Sequence, residues 1–161
     1  MPFEAVHPED ESVVAVSIEA LWQGTKIFKA GGIPDQFTLG GDWRRGKGKK
    51  PIGSWAGAGS ALHQTPGDAR RAIYIPAFIR QIYRILMLGT GAEALLRYAG
   101  RHSGNVLLRD WDTGRGLEQR GPMSHAWVLA CILNTGDVPE AHLEGELKQQ
   151  AEAIHFIAQR G

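Results

Sequence analysis

The feature that most constrains the fold of this chain is the helical spacing of apolar residues in its second half. After a proline at position 76, apolar side chains recur at intervals of three and four residues over positions 78–88. A second stripe, near the C-terminus, consists of Leu143, Leu147, Ala151, Ile154 and Ala158. Each stripe must be buried against another element. The sequence therefore predicts a core built mainly from helices.

Capping residues and β-branched runs place the other elements. Ser17 is suited to cap a helix, and Asp137 and Glu140 have the separation of a capping box at the start of the last helix. Helices are predicted over residues 18–29, 66–75, 76–88, 92–98 and 124–133, and strands over 12–17 and 105–109. The predicted fold class is α+β and predominantly α, a compact helical domain with a small β component.

The length of 161 residues fits a single domain over positions 1–161. Residues 1–11 are expected to form a flexible N-terminus. Residues 31–65 contain nine glycines and the basic stretch 44–50, which predicts a long Gly-rich basic excursion in place of regular structure.

The composition narrows the class of protein. With 18 basic and 17 acidic residues the net charge is +1, so a global field that attracts nucleic acid or an anionic membrane is not expected. The lone cysteine, Cys131, suits a reducing compartment, and no apolar run is long enough to span a bilayer. The six histidines show no metal-ligand spacing. We therefore expect a cytoplasmic protein without metal, other cofactor or membrane partner.

One face of the first helix carries residues that suit chemistry. On a helical wheel Glu19, Gln23 and Lys26 lie within about 60° of one another, and Trp22 borders them. In the functional interpretation this face is a pocket wall, where Glu19 acts as acid or base and Lys26 meets an anionic group. The alternative is a solvated stripe held together by pairs along the helix.

The string SIEALWQGTKIF at residues 17–28 resembles the early motif of the NADAR family, the riboflavin-biosynthesis-intermediate N-glycosidases. In that family a Ser or Thr, a Glu, an aromatic-Gln pair and a Lys open the first main helix. The later order is also similar, with LMLGTG at 86–91, LLRDWD at 107–112 and GPMSHAWVLACIL at 121–133. The resemblance spans residues 12–133 and implies a NADAR-like fold.

The resemblance also implies an activity, hydrolysis of the N-glycosidic bond of a phosphorylated ribosyl or ADP-ribosyl substrate. Such a reaction passes through an oxocarbenium-like transition state, which a carboxylate stabilises while an aromatic wall stacks on the leaving base. Glu19 is the first candidate for the catalytic carboxylate, followed by Asp110 and Asp112. The candidate substrate-binding residues are Trp22, Gln23, Lys26, Arg44, Arg45, Trp111, Ser124, His125 and Trp127.

Two of these groups have open alternatives. The stretch from Arg44 to Lys50 is first of all interpreted as a solvated loop. Phosphate capture by Arg44 and Arg45 is the next interpretation, and a small nucleic-acid patch is a third. Ser124 and His125 are suited to capping and packing at a helix start, while His125 is also a candidate for a site shared with Asp110.

Two other functions stay open at the level of the whole chain. One is a non-catalytic module that binds a nucleotide, ADP-ribose or nucleic acid through the basic stretch and the tryptophans. The other is an interaction protein whose amphipathic C-terminal helix docks a partner. The sequence does not indicate an oligomeric state.

Overall fold

The computed structural model describes residues 4–28, 39–40, 50–59, 61–102, 106–108 and 123–160. The helices in these ranges are α1 (Ile18–Gly24), α2 (Pro66–Ala69), α3 (Ile75–Met87), α4 (Ala92–Arg101), α5 (His125–Thr135) and α6 (Gly145–Gln159), with a π-helical turn at Arg70–Tyr74. The strands are β1 (Ala5–His7), β2 (Asp10–Ala15), β3 (Lys26–Ile27) and β4 (Gly53–Ser54). The fold is α+β and predominantly α, as predicted.

The N-terminal residues form an antiparallel hairpin of β1 and β2. Val6 faces Val14 across the pair, and Ala5 faces Ala15. β-Branched residues favour the extended backbone because their χ1 angles are restricted. The predicted strand at 12–17 is confirmed, although it begins and ends two residues earlier. β1 lies in the segment to which sequence analysis assigned no structure.

Helix α1 begins where the capping signal placed it but ends earlier than predicted. The Ser17 Oγ atom accepts the backbone N–H of Ala20 at 3.1 Å, which satisfies one of the first-turn donors. The prediction of helix over 18–29 is wrong beyond Gly24, because the next residues pair with a distant strand. Trp55 N donates to Thr25 O at 2.8 Å, and Ile52 N donates to Ile27 O at 2.8 Å.

The segment from α2 to α3 contains a proline inside continuous helix, where sequence analysis placed the start of a new one. Thr65 caps α2 through its hydroxyl, and Pro76 is the second residue of α3. A proline has no N–H to donate to the preceding turn and its ring crowds the carbonyl there. The π-helical turn Arg70–Tyr74 ends two residues before this proline and supplies the wider turn that accommodates it.

Two features that were predicted for the second half of the chain are wrong. The strand expected over 105–109 does not form in its described part, residues 106–108. The last helix begins at Gly145 and not near Asp137, because Glu140 and His142 have positive φ angles of 62° and 53°, which a helix does not allow. Asp137 instead accepts the Val138 N–H and the Lys148 ammonium, each at 2.8 Å.

Contacts divide the chain into two units, Met1–Gln81 and Ile82–Gly161, each with its own buried residues. The first unit buries Leu21, Ile27, Ile73, Ile75 and Ile79, and the second buries Val128, Ile132, Val138, Ala151 and Ile154. The prediction of a single domain over 1–161 stays a prediction. In the ranges that the structure describes, every helix is too short or too polar to cross a lipid bilayer.

Candidate functional site

Three polar side chains of α1 and the strand after it form one hydrogen-bonded row, which we call the acid–amide–amine row (Glu19, Gln23 and Lys26). The Gln23 Nε2 atom donates to Glu19 Oε1 at 2.8 Å, and Lys26 Nζ donates to Gln23 Oε1 at 2.7 Å. All three residues are half-buried. The structure therefore brings together the side chains that the helical spacing placed on one face.

Lys26 reaches this row from strand β3, which corrects the prediction that it extends the helix. Its strand is paired with β4, where Lys26 faces Ser54. The backbone of Lys26 is thus held by the strand pair while its side chain returns to the last turn of α1. Two separate elements fix the distance between the carboxylate and the ammonium.

The Gln23 amide joins the two charges with matched polarity. Its N–H group points at the carboxylate and its carbonyl oxygen at the ammonium. Glu19 has a second oxygen, Oε2, and the ammonium has three N–H donors, of which Gln23 takes one. A row of this kind can present an acceptor and a cation to one ligand at a fixed separation.

Aromatic rings lie beside the row. Lys26 Nζ is 5.2 Å from the centre of the Trp22 ring, within the range of a cation–π contact. Trp22 meets Tyr74 edge to face with ring centres 5.5 Å apart, and Tyr74 stacks on Phe78 at 6.1 Å. Trp22 and Phe78 are half-buried, whereas Tyr74 is buried. The partly exposed indole offers a flat apolar surface next to charged groups.

Sequence analysis missed Arg70 and Tyr74, which the π-helical turn contributes to this region. Arg70 is only 2% exposed, and its charge acts on Lys26. Single π-helical turns occur frequently at functional sites because they break the regular helical spacing and redirect side chains. The available signal was Pro76 inside a long apolar and basic segment, which could have indicated a distorted helix.

Burial lowers the pKa of the Lys26 ammonium from its usual value of 10.5. The charge of Glu19 acts in the opposite direction, and the charge of Arg70 lowers the pKa further. The cation is therefore held in a place that disfavours it relative to water. Such perturbed groups cluster at functional sites, although structural networks also produce them.

The other described candidates lie in the second unit, at the start of α5. The Ser124 hydroxyl accepts the backbone N–H of Trp127 at 3.3 Å and caps the helix, as the capping interpretation predicted. Ser124 is buried, and His125 and Trp127 are half-buried. The substrate-binding roles of these three residues stay predictions. Asp110, Trp111, Asp112, Arg44 and Arg45 lie outside the described residues.

Comparison of the chain with protein-family models, curated proteins and solved structures finds no significant match. What the site can do therefore follows from its own residues. In the described ranges, no group of three or more His, Cys, Asp or Glu side chains is placed to hold a metal ion. The groups that the first unit does bring together are a carboxylate, an amide, two cations and an aromatic face.

Proposed function

We propose that the chain is an N-glycosidase that hydrolyses the N-glycosidic bond of a phosphorylated ribosyl or ADP-ribosyl substrate, with Glu19 as the catalytic carboxylate. The observation that supports it is the half-buried acid–amide–amine row beside the Trp22 ring. A carboxylate, a cation and an aromatic surface are the groups that a ribose, a phosphate and a base require. The resemblance of residues 17–28 to the NADAR motif falls on the same side chains.

In the proposed reaction Glu19 acts as a general base. It takes a proton from a water molecule whose oxygen attacks the anomeric carbon of the ribose. The bond from that carbon to the base nitrogen breaks, its electron pair goes to the nitrogen, and the nitrogen takes up a proton. The products are the free base and either the phosphorylated ribose or ADP-ribose. The negative carboxylate stabilises the positive charge that develops on the sugar.

The neighbouring residues have positioning and binding roles in this proposal. The Gln23 N–H group holds Glu19 Oε1, so that the carboxylate keeps one orientation. The Lys26 ammonium donates to a phosphate oxygen. A half-buried cation is well suited to this role because fewer water molecules compete with the phosphate for its N–H groups. The Trp22 ring stacks on the base. Each role uses a side chain that the structure places in the row or beside it.

The experiment that tests this proposal measures base release by Glu19→Gln. The substrates are a phosphoribosylated pyrimidine and ADP-ribosylated guanine, and the released base is quantified by chromatography. Because a general base contributes about 100-fold or more to such a reaction, we expect kcat to fall by about that factor. Ligand affinity, measured by calorimetry, should change little.

Glu146→Gln is a matched control. Glu146 accepts a hydrogen bond from Gln150 Nε2 at 3.0 Å, four residues later in α6, so the pair repeats the Glu19–Gln23 geometry on an exposed surface. The activity of Glu146→Gln should stay within twofold of that of the wild type. Equal losses in both variants would contradict the role of Glu19. If wild-type protein binds a ribosylated ligand but releases no base, the function is the non-catalytic binding module, in which the same cations and ring recognise the ligand.

A further inference from the structure

The second unit contains an open groove whose polar lining is dominated by arginine. The groove has a volume of about 470 Å³ and runs along one face of α4, from Gly89 and Gly91 past Glu93 and Arg97 to Arg101 and Arg160. Glu93 and Arg101 are eight residues apart in the helix, which corresponds to about 12 Å. Its volume lies within the range of small-molecule sites.

A close contact between two helices places the arginines of this groove. A Cβ atom on Gly100 would lie 1.8 Å from the carbonyl oxygen of Ala158, so the backbones of α4 and α6 touch at this point. Arg101 follows Gly100 directly, and Arg160 is two residues beyond Ala158. The contact therefore brings two arginines from different elements to the lining of one groove.

The groove has more positive than negative charge. Arg97, Arg101 and Arg160 contribute three positive charges and Glu93 contributes one negative charge, which leaves an excess of two. Glu93 forms an ion pair with Arg97 one turn away. Arg97 and Arg101 are also four residues apart in α4. Like charges at this separation repel one another, and a bound anion relieves that repulsion.

One guanidinium of the groove is already held in place. The Arg160 guanidinium lies 4.2 Å from the centre of the Phe156 ring, which restricts the side chain before any ligand arrives. Planar guanidinium groups donate two parallel hydrogen bonds to phosphate oxygens. A pre-positioned arginine loses less conformational entropy when such bonds form.

Arginines at the C-terminal ends of helices have a structural explanation too, because a positive charge there is favoured by the helix dipole. That explanation applies to Arg101 and to Arg160 separately, since α4 ends at Arg101 and Arg160 is the C-cap residue of α6. It does not account for Arg97, in the middle of α4, nor for the shared groove. The lining is also poor in apolar side chains, which favours a small and highly charged ligand.

We propose that this groove binds an anion with adjacent phosphate groups, of the pyrophosphate or nucleoside diphosphate class, through Arg97, Arg101 and Arg160. The site belongs to the second unit and does not rest on the glycosidase chemistry of Glu19. Two linked phosphates present enough oxygens to occupy more than one guanidinium at once. A single orthophosphate engages fewer of them and binds more weakly.

Calorimetric titration of the full chain with inorganic pyrophosphate tests this proposal. We expect saturable binding to the wild type, with affinity at least tenfold lower in Arg101→Gln and in Arg160→Gln. Arg84→Gln is the matched control, since Arg84 is an exposed arginine of α3 in the same unit and does not line the groove. The affinity of Arg84→Gln for pyrophosphate should equal that of wild type.

Parallel titrations with ADP, orthophosphate and a single-stranded oligonucleotide identify the class of anion. Binding of ADP with the same dependence on Arg101 and Arg160 supports a nucleoside diphosphate as the source of the phosphates. The proposal is overturned if pyrophosphate does not bind, if Arg84→Gln loses as much affinity as the groove variants, or if only the oligonucleotide binds. Circular dichroism of each variant establishes that it is folded before titration.

Discussion

At the scale of single residues, burial disfavours the charged form of the Lys26 side chain. The loss of hydration of this one ammonium lowers the stability of the folded chain. Because its pKa in the folded chain is lowered, the unfolded chain binds more protons between that lowered value and 10.5. Stability is therefore gained as the pH rises through this window. At a pH below the lowered pKa the ammonium is charged in both states, and the folded chain bears the loss of hydration.

Lys26→Met is expected to leave the free energy of unfolding unchanged or to raise it, because an apolar side chain of similar length needs no hydration there. The same variant should lose at least tenfold in affinity for a phosphorylated ribosyl ligand. Urea unfolding and calorimetry measure the two quantities. A residue that reduces stability while supporting binding has the usual signature of a functional site.

Lys148→Met provides the comparison for this prediction. Lys148 donates to Asp137 at 2.8 Å, and that bond lowers the pKa of the Asp137 carboxyl. Removal of Lys148 therefore lowers stability slightly. A marked loss of stability in Lys26→Met would instead identify the acid–amide–amine row as a structural network.

At the scale of elements, helix propensity and packing have opposite effects on stability where α4 contacts α6 at Gly100. Gly100 lies inside α4, where replacement of glycine by alanine usually adds about 1 kcal/mol of stability. A Cβ atom at this position, however, would overlap the Ala158 carbonyl. The backbone of a neighbouring helix cannot move aside as the end of a flexible side chain can.

Gly100→Ala is therefore expected to destabilise the chain, by roughly 1–3 kcal/mol as found for overpacked cores. Urea unfolding measures the change. Because the helices would separate at the end of the groove that holds Arg101 and Arg160, pyrophosphate affinity should fall as well. An increase in stability would show that propensity prevails and that the two backbones are not in close contact.

The limits of prediction are also clearest for elements. The start of α1 was predictable because the Ser17 cap acts on a residue three positions away. Its end was not, since β3 pairs with β4 more than twenty residues further along the chain. For the π-helical turn Pro76 was a local signal of a distorted helix, but the packing of Tyr74 against Trp22 of another helix was not predictable from nearby residues.

At the scale of the whole molecule, a buried histidine links stability to pH. His7 is fully buried; it accepts the Glu9 N–H through Nδ1 at 3.1 Å and lies 3.1 Å from the Trp55 carbonyl through Nε2. Accepting at Nδ1 requires the neutral ring with its proton on Nε2. Burial lowers the pKa of His7 below its usual value of 6.5.

The free energy of unfolding should therefore decrease as the pH falls below about 6.5, the pKa of an unfolded histidine. Below that pH the histidine of the unfolded chain binds a proton, whereas the buried His7 of the folded chain does not. Above that pH the ring is neutral in both states, so the stability that the neutral His7 contributes is fully present. Urea unfolding at pH 7 and pH 5 measures the difference. His7→Gln should reduce this dependence, whereas His102→Gln, at an exposed position, should retain it. An unchanged pH dependence in His7→Gln would assign it to other groups.

The sequence by itself determined the fold class, the starts of the capped helices and the shared face of Glu19 and Gln23, because these depend on residues three or four positions apart. Tertiary structure alone decided where α1 ends, the approach of Lys26 from β3 and the position of Arg101 and Arg160 along one groove. Each of the latter depends on backbone contacts between segments distant in the chain. Such contacts leave no periodic pattern, since a pairing strand or a touching helix can be supplied by many different sequences.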